Sequence, residues 1–354
     1  MRAGLIISVL VVMGLAYLVS YAWHRTAQAT KEMAQDLIVN NGSSGTETSR
    51  ATETFDVGGK KRLAIANDFG SVEVTPGGPA VSAERIVFAG QDDEARARAA
   101  RFKVESNPDG ADGVALRVVG EKGPRRVRVK LIVQAPPELD LKVDVSSGDV
   151  SVTGWKARVD AAAGSGNATL KSVAGAATAK SGSGDVTAEN VHGDIAAESG
   201  SGNVDLSLVR GRAYAHTGSG DVNLADIDGS DITAESEHGS VSLDDAGGAN
   251  IRARTHSGDV HVSVKKPFSG TMEIHTGSGD ASLALPPGSD CRIEARTGSG
   301  SVNNELTMKV ESSSERAVTG YLGKGAGSVQ ITTGSGDVSL EAAGKGYGTT
   351  AARR

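Results

Sequence analysis

The sequence feature that most restricts the fold is a short phrase of serine or threonine, glycine, serine, glycine and aspartate that recurs between Ser146 and Leu340. The first five copies are 18 residues apart, and later spacings drift to 19 and 21. A fixed internal period of this length indicates a solenoid, in which each repeat stacks on its neighbours. The residues that follow the glycine are Asp149, Asn167, Asp185, Asn203, Asp221, Ser240, Asp259, Asp280, Ser301, Ser328 and Asp337.

Glycines also fall on a grid of nine residues within each repeat, which leaves room for one strand of roughly five residues and one tight turn. Apolar and polar residues alternate after each turn, as in Val186 and Ala188 or Val204 and Leu206. This period of two is typical of half-buried strands. The sequence therefore predicts an all-β, single-chain parallel β-solenoid, or β-helix, with coils of roughly 18 residues.

The turns predict a ladder of stacked residues along the solenoid. Glycine is expected at these turns because a sharp reversal of the chain favours positive φ. When the coils stack, the side chains that follow these glycines are expected to lie about 4.8 Å apart, the spacing of neighbouring strands. Carboxylates alternate with neutral residues as far as Asp259, which reduces repulsion, whereas Asp259 and Asp280 are consecutive acids. The predicted ladder comprises Gly148, Asp149, Gly166, Asn167, Gly184, Asp185, Gly202, Asn203, Gly220 and Asp221.

The repeat, together with the segment Ala135–Gly154 (APPELDLKVDVSSGDVSVTG), resembles the bacterial "putative adhesin" family of unknown function, whose members carry Gly-Ser-Gly-Asp-Val β-strand repeats. The resemblance covers roughly Thr52 to Leu340. It implies an extracytoplasmic β-solenoid that is often tethered to a membrane, and it implies nothing specific about activity.

The N-terminal residues predict a membrane segment. Ala3–Trp23 carries no charge and is close to the roughly 20 residues that span a bilayer. Because signal peptides have shorter apolar cores, we expect an uncleaved transmembrane helix within residues 1–25, although Ala27 and Ala29 leave a cleaved signal open. A flexible tether over residues 26–53 and a disordered tail over 342–354 are expected from their polar and glycine-rich composition.

Residues 54–141 predict a β-rich N-terminal cap, and residues 142–341 the solenoid repeat domain. Strand patterns continue through the cap while the repeat weakens to a single copy at Asp68–Val74. The run Asp92–Phe102 lacks glycine and proline and predicts a short helix with acids near its N-terminus. Such a cap protects the open strand edge of a solenoid.

No motif in the sequence predicts catalysis or a cofactor. Seven histidines occur without a zinc-binding spacing, although His238 and His256 precede turns of adjacent coils and are expected to approach each other. Calcium binding at Asp259 and Asp280 is an alternative role for these acids, and turn capping explains them better. Cys291 is expected to be buried between apolar neighbours.

The outward-facing residues predict a solvated surface of mixed charge. One column reads Lys180, Glu198, His216, Glu235, Arg254, His275 and Arg296 in successive coils. Sugar sites present exposed aromatic residues, and only Tyr214 and Tyr321 qualify. A separate strand with Arg126, Arg128 and Lys130 is either a solvated cap strand or a contact for anionic headgroups or an acidic polymer.

These features lead to one functional hypothesis and one alternative. We expect a single-pass protein of the cell membrane whose repeat domain is extracytoplasmic, in the periplasm or at the cell surface. It would be a non-enzymatic, adhesin-like or scaffolding surface for an envelope polysaccharide or a protein partner. The net charge of −6 argues against general nucleic-acid binding. The alternative is a carbohydrate-active β-helix enzyme, either a polysaccharide lyase or a hydrolase.

Overall fold

The computed structural model describes residues 46–90, 92–121 and 127–343, which form 29 strands and one helix. The N-terminal elements are β1 (Thr46–Phe55), β2 (Arg62–Asn67), β3 (Val72–Pro76), β4 (Val81–Ala89), α1 (Asp93–Ala99), β5 (Lys103–Asp109), β6 (Gly113–Val119) and β7 (Arg128–Ala135).

The repeats form strands of four to eight residues. They are β8 (Asp140–Val145), β9 (Val150–Thr153), β10 (Val159–Ala163), β11 (Ala168–Val173), β12 (Ala177–Ser181), β13 (Val186–Val191), β14 (Ile195–Ser199), β15 (Val204–Arg210), β16 (Ala213–Thr217), β17 (Val222–Asp228), β18 (Asp231–Ser236), β19 (Val241–Ala246), β20 (Asn250–Ser257), β21 (Val260–Val264), β22 (Thr271–Ser278) and β23 (Ala281–Leu285). The C-terminal strands are β24 (Cys291–Ser299), β25 (Val302–Asn304), β26 (Lys309–Ser314), β27 (Ala317–Leu322), β28 (Gly327–Ser335) and β29 (Val338–Ala342).

The strands form two long sheets that face each other across a shared core. Sheet A has 14 strands in the order β1-β4-β7-β3-β9-β11-β13-β15-β17-β19-β21-β23-β29-β25, and sheet B has 15 in the order β26-β27-β24-β28-β22-β20-β18-β16-β14-β12-β10-β8-β2-β6-β5. Along the repeats, each coil contributes one strand to each sheet, and equivalent residues pair in parallel, as Val186 does with Val204. The predicted β-solenoid is confirmed.

The core is a narrow apolar column. Inward positions carry mostly valine, alanine, leucine and isoleucine, and Val186, Ala188, Val204 and Ala215 have no exposed surface. The largest buried side chains lie near the N-terminal end of the solenoid, where Trp155 is fully buried. Its Nε1 donates a hydrogen bond to the Leu139 carbonyl oxygen at 2.7 Å. The period-two pattern of the sequence therefore corresponds to burial between the sheets.

The turn glycines are required mainly by close approach between coils, which corrects the expectation of positive φ. Gly148 and Gly258 do have positive φ, but φ at Gly166, Gly184 and Gly202 lies outside the left-handed region. A Cβ at Gly166 would lie 2.1 Å from the Gly148 carbonyl oxygen, and one at Gly202 would lie 2.3 Å from the Gly184 oxygen. Any side chain would thus collide with the backbone of the preceding coil.

The N-terminal region combines coils with capping elements. Coil β2–β3, which contains the isolated repeat copy, lies between β6–β7 and β8–β9, so the first coil in the chain is not the outermost. The antiparallel strands β4 and β5 extend the two sheets beyond β7 and β6. The predicted helix is confirmed as α1, and the Asp92 side chain caps it by accepting from the Ala95 N–H at 2.8 Å.

The last coil is also out of chain order. Coil β28–β29 inserts between β22–β23 and β24–β25, and β27 and β26 extend sheet B beyond β24 in antiparallel fashion. The expectation that coils stack in sequence order is therefore wrong at this end. Ser328, which follows a glycine in the sequence as the ladder residues do, lies in β28 and pairs with Thr271.

The ends of the predicted domain map are only partly described. The predicted membrane segment, residues 1–25, and most of the predicted tail lie outside the described residues. Strand β1 begins at Thr46, so the end of the segment expected to be a tether is β-strand, with Arg50 bound to Glu84 of β4. Over residues 46–90, 92–121 and 127–343, no helix has the length and apolar character needed to cross a membrane.

Candidate binding face

The turn ladder is a chain of hydrogen bonds that joins successive coils. Oδ1 of Asp149 accepts the backbone N–H of Asn167 at 2.9 Å, and Oδ1 of Asn167 accepts that of Asp185 at 2.8 Å. The same bond recurs at Asp185, Asn203 and Asp221. The predicted ladder residues thus come together, and their shared task is to satisfy a backbone donor one coil away.

The acidic part of the ladder is longer than the sequence indicates. Because β28–β29 is inserted, Asp337 follows Asp280, so Asp259, Asp280 and Asp337 occupy three consecutive coils. Each uses one carboxylate oxygen to accept a backbone N–H, and Asp337 binds Ser301 in this way. Nowhere in the described chain do three or more His, Cys, Asp or Glu side chains converge so as to hold a metal ion.

A second ladder, of buried hydroxyl groups, was not recognised from the sequence. Thr217 donates from its hydroxyl to the Gly202 carbonyl oxygen at 2.7 Å and accepts from the Gly220 N–H at 3.3 Å. The signal was available, because serine or threonine opens nearly every copy of the repeat phrase. Its members that donate to a glycine of the neighbouring coil are Ser181, Ser199, Thr217, Ser236, Thr255, Thr276, Thr297 and Thr333.

The outer face of sheet B carries the predicted column of mixed charge. Glu198, His216, Glu235 and Arg254 pair in register across neighbouring strands, so their side chains lie on the same face. Lys180 Nζ lies 2.8 Å from a Glu198 carboxylate oxygen. At the C-terminal end the predicted order is wrong, because Thr332 of the inserted coil separates His275 from Arg296.

The Arg254 guanidinium binds Glu273 on the next strand of this face, and Arg252 Nε lies 3.3 Å from the same carboxylate. Glu273 therefore pairs with two arginines, and Arg254 binds it rather than its cross-strand neighbour Glu235. Glu235 forms no ion pair with another side chain in the described part of the chain.

Tyr214 lies beside this column on the same face and is its only large exposed aromatic residue within the repeats. Its cross-strand neighbours are Ala196 and Thr233, both small, and 37% of Tyr214 is exposed. Its ring is nearly parallel to that of His216, with ring centroids 6.5 Å apart. Partial burial, and then the charges of Glu235 and Glu198, raise the pKa of the Tyr214 hydroxyl.

The imidazole of His216 has an unsatisfied nitrogen. Its Nδ1 is buried and has no hydrogen-bond partner in the structure. Leaving such a group unpaired costs about 1–3 kcal/mol. The centre of the sheet B face thus combines an exposed aromatic ring, an unsatisfied imidazole and the Glu235 carboxylate.

Other candidates from the sequence have structural explanations. His238 and His256 approach as predicted, with ring centroids 6.4 Å apart in an edge-to-face arrangement. Cys291 is fully buried, and burial, followed by the charge of Asp290, raises the pKa of its thiol to about 11. A buried neutral thiol is a poor nucleophile.

The predicted basic strand is only partly available to a ligand. Lys130 on β7 lies 3.0 Å from the Glu73 carboxylate, and only 17% of its side chain is exposed. Arg126 lies outside the described residues. Tyr321, the other candidate for sugar stacking, is engaged by its neighbours, since Arg292 lies over its ring and its hydroxyl donates to Glu311 at 2.8 Å.

Solved structures that are similar to this chain include three proteins described as adhesins or as a cell adhesion protein. A putative adhesin from Bacteroides fragilis is 12% identical, with a TM-score of 0.34 over 84% of this chain and 100% of that chain. A putative adhesin from Parabacteroides distasonis is 10% identical, with a TM-score of 0.29 over 82% and 97%. A putative cell adhesion protein from Clostridium sporogenes is 11% identical, with a TM-score of 0.22 over 83% and 99%.

No curated protein matches the chain. A protein family described as Toastrack DUF4097 matches it twice, over residues 127–216 and 194–341. Together the two matches cover more than half of the 354 residues and include the solenoid coils from β7 onward. The chain therefore belongs to the Toastrack DUF4097 family.

Proposed function

We propose that the chain is a non-enzymatic protein of the cell envelope whose solenoid is an adhesive or scaffolding surface. The observation that carries this proposal is the outer face of sheet B, where polar and charged side chains keep one register from coil to coil. A long, regular surface of this kind suits an extended ligand or partner, because each coil repeats the contact geometry of the last.

The proposed location is the cell membrane, with the repeat domain outside the cytoplasm. Support comes from the uncharged run Ala3–Trp23, which has the length of a membrane-spanning helix. The test is fractionation of the full chain. An alkaline wash should leave it in the membrane pellet, and protease added to intact spheroplasts should digest the repeat domain. Release by the wash or complete protection from protease would contradict this location.

The proposed activity is tested by binding and by product release in one experiment. The full chain, purified in detergent micelles, is incubated with polysaccharides from its own envelope and with unrelated ones. Retention without new reducing ends is the expected result. Newly released reducing ends or unsaturated sugar products would make the protein a hydrolase or lyase and overturn the non-enzymatic assignment.

A protein partner is the other form that this surface function can take. Chemical cross-linking in intact cells, followed by purification of the full chain, should then capture an envelope protein. Failure both to retain polysaccharide and to cross-link any envelope component would overturn the adhesive and scaffolding function as a whole.

A further inference from the structure

The exposed ring of Tyr214 stands among small neighbours on the sheet B face. Ala196 lies beside it on one strand and Thr233 on the other, and the next position beyond Ala196 in this column is Thr178. Neighbours of this size cannot cover an aromatic ring, which accounts for the 37% exposure of Tyr214. The ring therefore offers an apolar surface to a flat ligand.

Hydrogen-bond acceptors lie next to this ring. Glu235 neighbours His216 across the strands, and its carboxylate forms no ion pair or hydrogen bond with another described side chain. Glu198 lies on the other side of His216 and is held by Lys180 at 2.8 Å. A ligand over Tyr214 would thus meet carboxylate oxygens that can accept its hydroxyl groups.

The local charge favours a neutral ligand. Lys180 and Arg254 lie at the two ends of the Glu198 and Glu235 pair in the neighbouring column. Arg252 and Glu273 continue the column of Tyr214, so three cationic and three anionic side chains lie near the ring. The site thus has no net charge to attract an acidic or a basic ligand. Its positions repeat along the solenoid axis at the spacing of neighbouring strands, roughly 4.8 Å, which is about the length of one pyranose ring.

From these observations we propose that Tyr214, with Glu235 and Glu198, forms a binding site for a neutral polysaccharide whose chain runs along the solenoid axis. One pyranose stacks on the Tyr214 ring above Thr233, and its hydroxyl groups donate to Glu235. A neighbouring sugar lies above Ala196 and donates to Glu198. This inference rests on the proposed adhesive surface and identifies its ligand class and position.

The test is a calorimetric titration of the full chain in detergent micelles with cellohexaose, with N-acetylchitohexaose and with acidic hexagalacturonate. Tyr214→Thr is the main variant, because threonine occupies the same column at Thr178 and Thr233 and suits the fold. It should weaken binding of a neutral hexasaccharide by about tenfold. Tyr214→Phe, which keeps the ring, should bind nearly as well as the original chain, and Glu235→Gln should bind more weakly. Gln330→Thr, an exposed change in the same column four coils away, is the matched control and should change nothing.

Each other outcome contradicts the site. Equal affinity of Tyr214→Thr and the original chain, or absence of binding by both neutral probes, overturns it. Tighter binding of hexagalacturonate than of either neutral probe overturns the neutral-sugar assignment. Envelope polysaccharide retained equally by Tyr214→Thr would remove this site and leave the adhesive surface in place, so the two proposals fail separately.

Discussion

Oδ1 of Asp280 accepts the backbone N–H of Asp337, 57 residues later in the chain, at 2.8 Å. Asp337 in turn accepts from the backbone N–H and the hydroxyl of Ser301, at 2.7 and 3.0 Å. These bonds fix the last coil of the chain between two earlier coils. Asp337 thus connects the coil β22–β23 with the coil β24–β25, between which its own coil lies.

The Asp337 contacts predict a dependence of stability on pH. Hydrogen bonds from Ser301 hold the pKa of the Asp337 carboxyl below its usual range. The stabilisation is therefore present above the unfolded-state pKa of about 3.9 and is lost as the pH falls through the lower folded-state pKa. Asp337→Asn should reduce the loss of stability on acidification. Urea unfolding between pH 2 and 7 measures the free energy of unfolding of both proteins. An equal loss of stability at low pH in the variant and the original chain would contradict the prediction.

The three consecutive carboxylates predict a stabilising substitution. Asp280→Asn keeps the side-chain oxygen that accepts the Asp337 N–H, as Asn167 and Asn203 do in their coils, and it separates Asp259 from Asp337 by a neutral residue. Stability should rise at neutral pH and low salt, and the gain should shrink as salt screens the repulsion. Asp185→Asn, between neutral neighbours, is the control. Thermal unfolding at about 0.01 M and about 1 M salt, where the Debye screening length is about 30 Å and about 3 Å, distinguishes the two variants. Equal gains in stability would contradict the repulsion.

The stacked turn glycines predict a sharp difference between two alanine substitutions. Gly202→Ala places a Cβ 2.3 Å from the Gly184 carbonyl oxygen, so neighbouring coils must separate. We expect a loss of about 1–3 kcal/mol in the free energy of unfolding. Gly78→Ala is the control, since no atom lies within 4 Å of the added Cβ. Equal stability of the two variants in urea would show that the coils can move apart freely.

The fold could be predicted from the sequence because the period of 18 and the alternation of apolar residues are both local signals. The order in which the coils stack in space could not be predicted from these signals. Each coil presents the same donor and acceptor at its turn, so Asp280 can accept from either Ser301 or Asp337, and local pattern does not choose between them. The antiparallel strand β27, which covers the far side of β24, makes β24–β25 the outer coil.

The candidate site was predictable in part. The outward column from Glu198 to Arg254 follows directly from strand alternation, and Tyr214 was recognised as an exposed aromatic. The pairing of Arg254 with Glu273 could not be predicted, because it depends on the conformations of two long side chains on neighbouring strands. The buried hydroxyl ladder was missed because serine and threonine in a glycine-rich phrase look like ordinary turn residues.

That hydroxyl ladder predicts that a nearly isosteric change will be costly. Thr217→Val removes the donor to the Gly202 carbonyl oxygen and the acceptor for the Gly220 N–H while it preserves the shape. The two backbone groups lose a buried partner, and we expect a loss of about 1–3 kcal/mol. Thr217→Ser should be nearly neutral, since serine has the same role at Ser199 and Ser236. Thermal unfolding that ranks valine equal to serine would show that these bonds contribute little.

The side chain of Leu208 conflicts with the left-handed backbone conformation that the repeat requires at this position. It has a φ of 56° and 42% exposure, and the equivalent left-handed positions in neighbouring coils carry Asn190 and Asp226. A left-handed conformation costs an ordinary residue about 1–2 kcal/mol, whereas asparagine tolerates it. Leu208→Asn should therefore raise the free energy of unfolding by about 1 kcal/mol. Leu208→Ala, which removes the exposed apolar surface and keeps the Cβ, is the control and should gain less. If urea unfolding finds alanine as stabilising as asparagine, exposure rather than backbone conformation is the source of the strain.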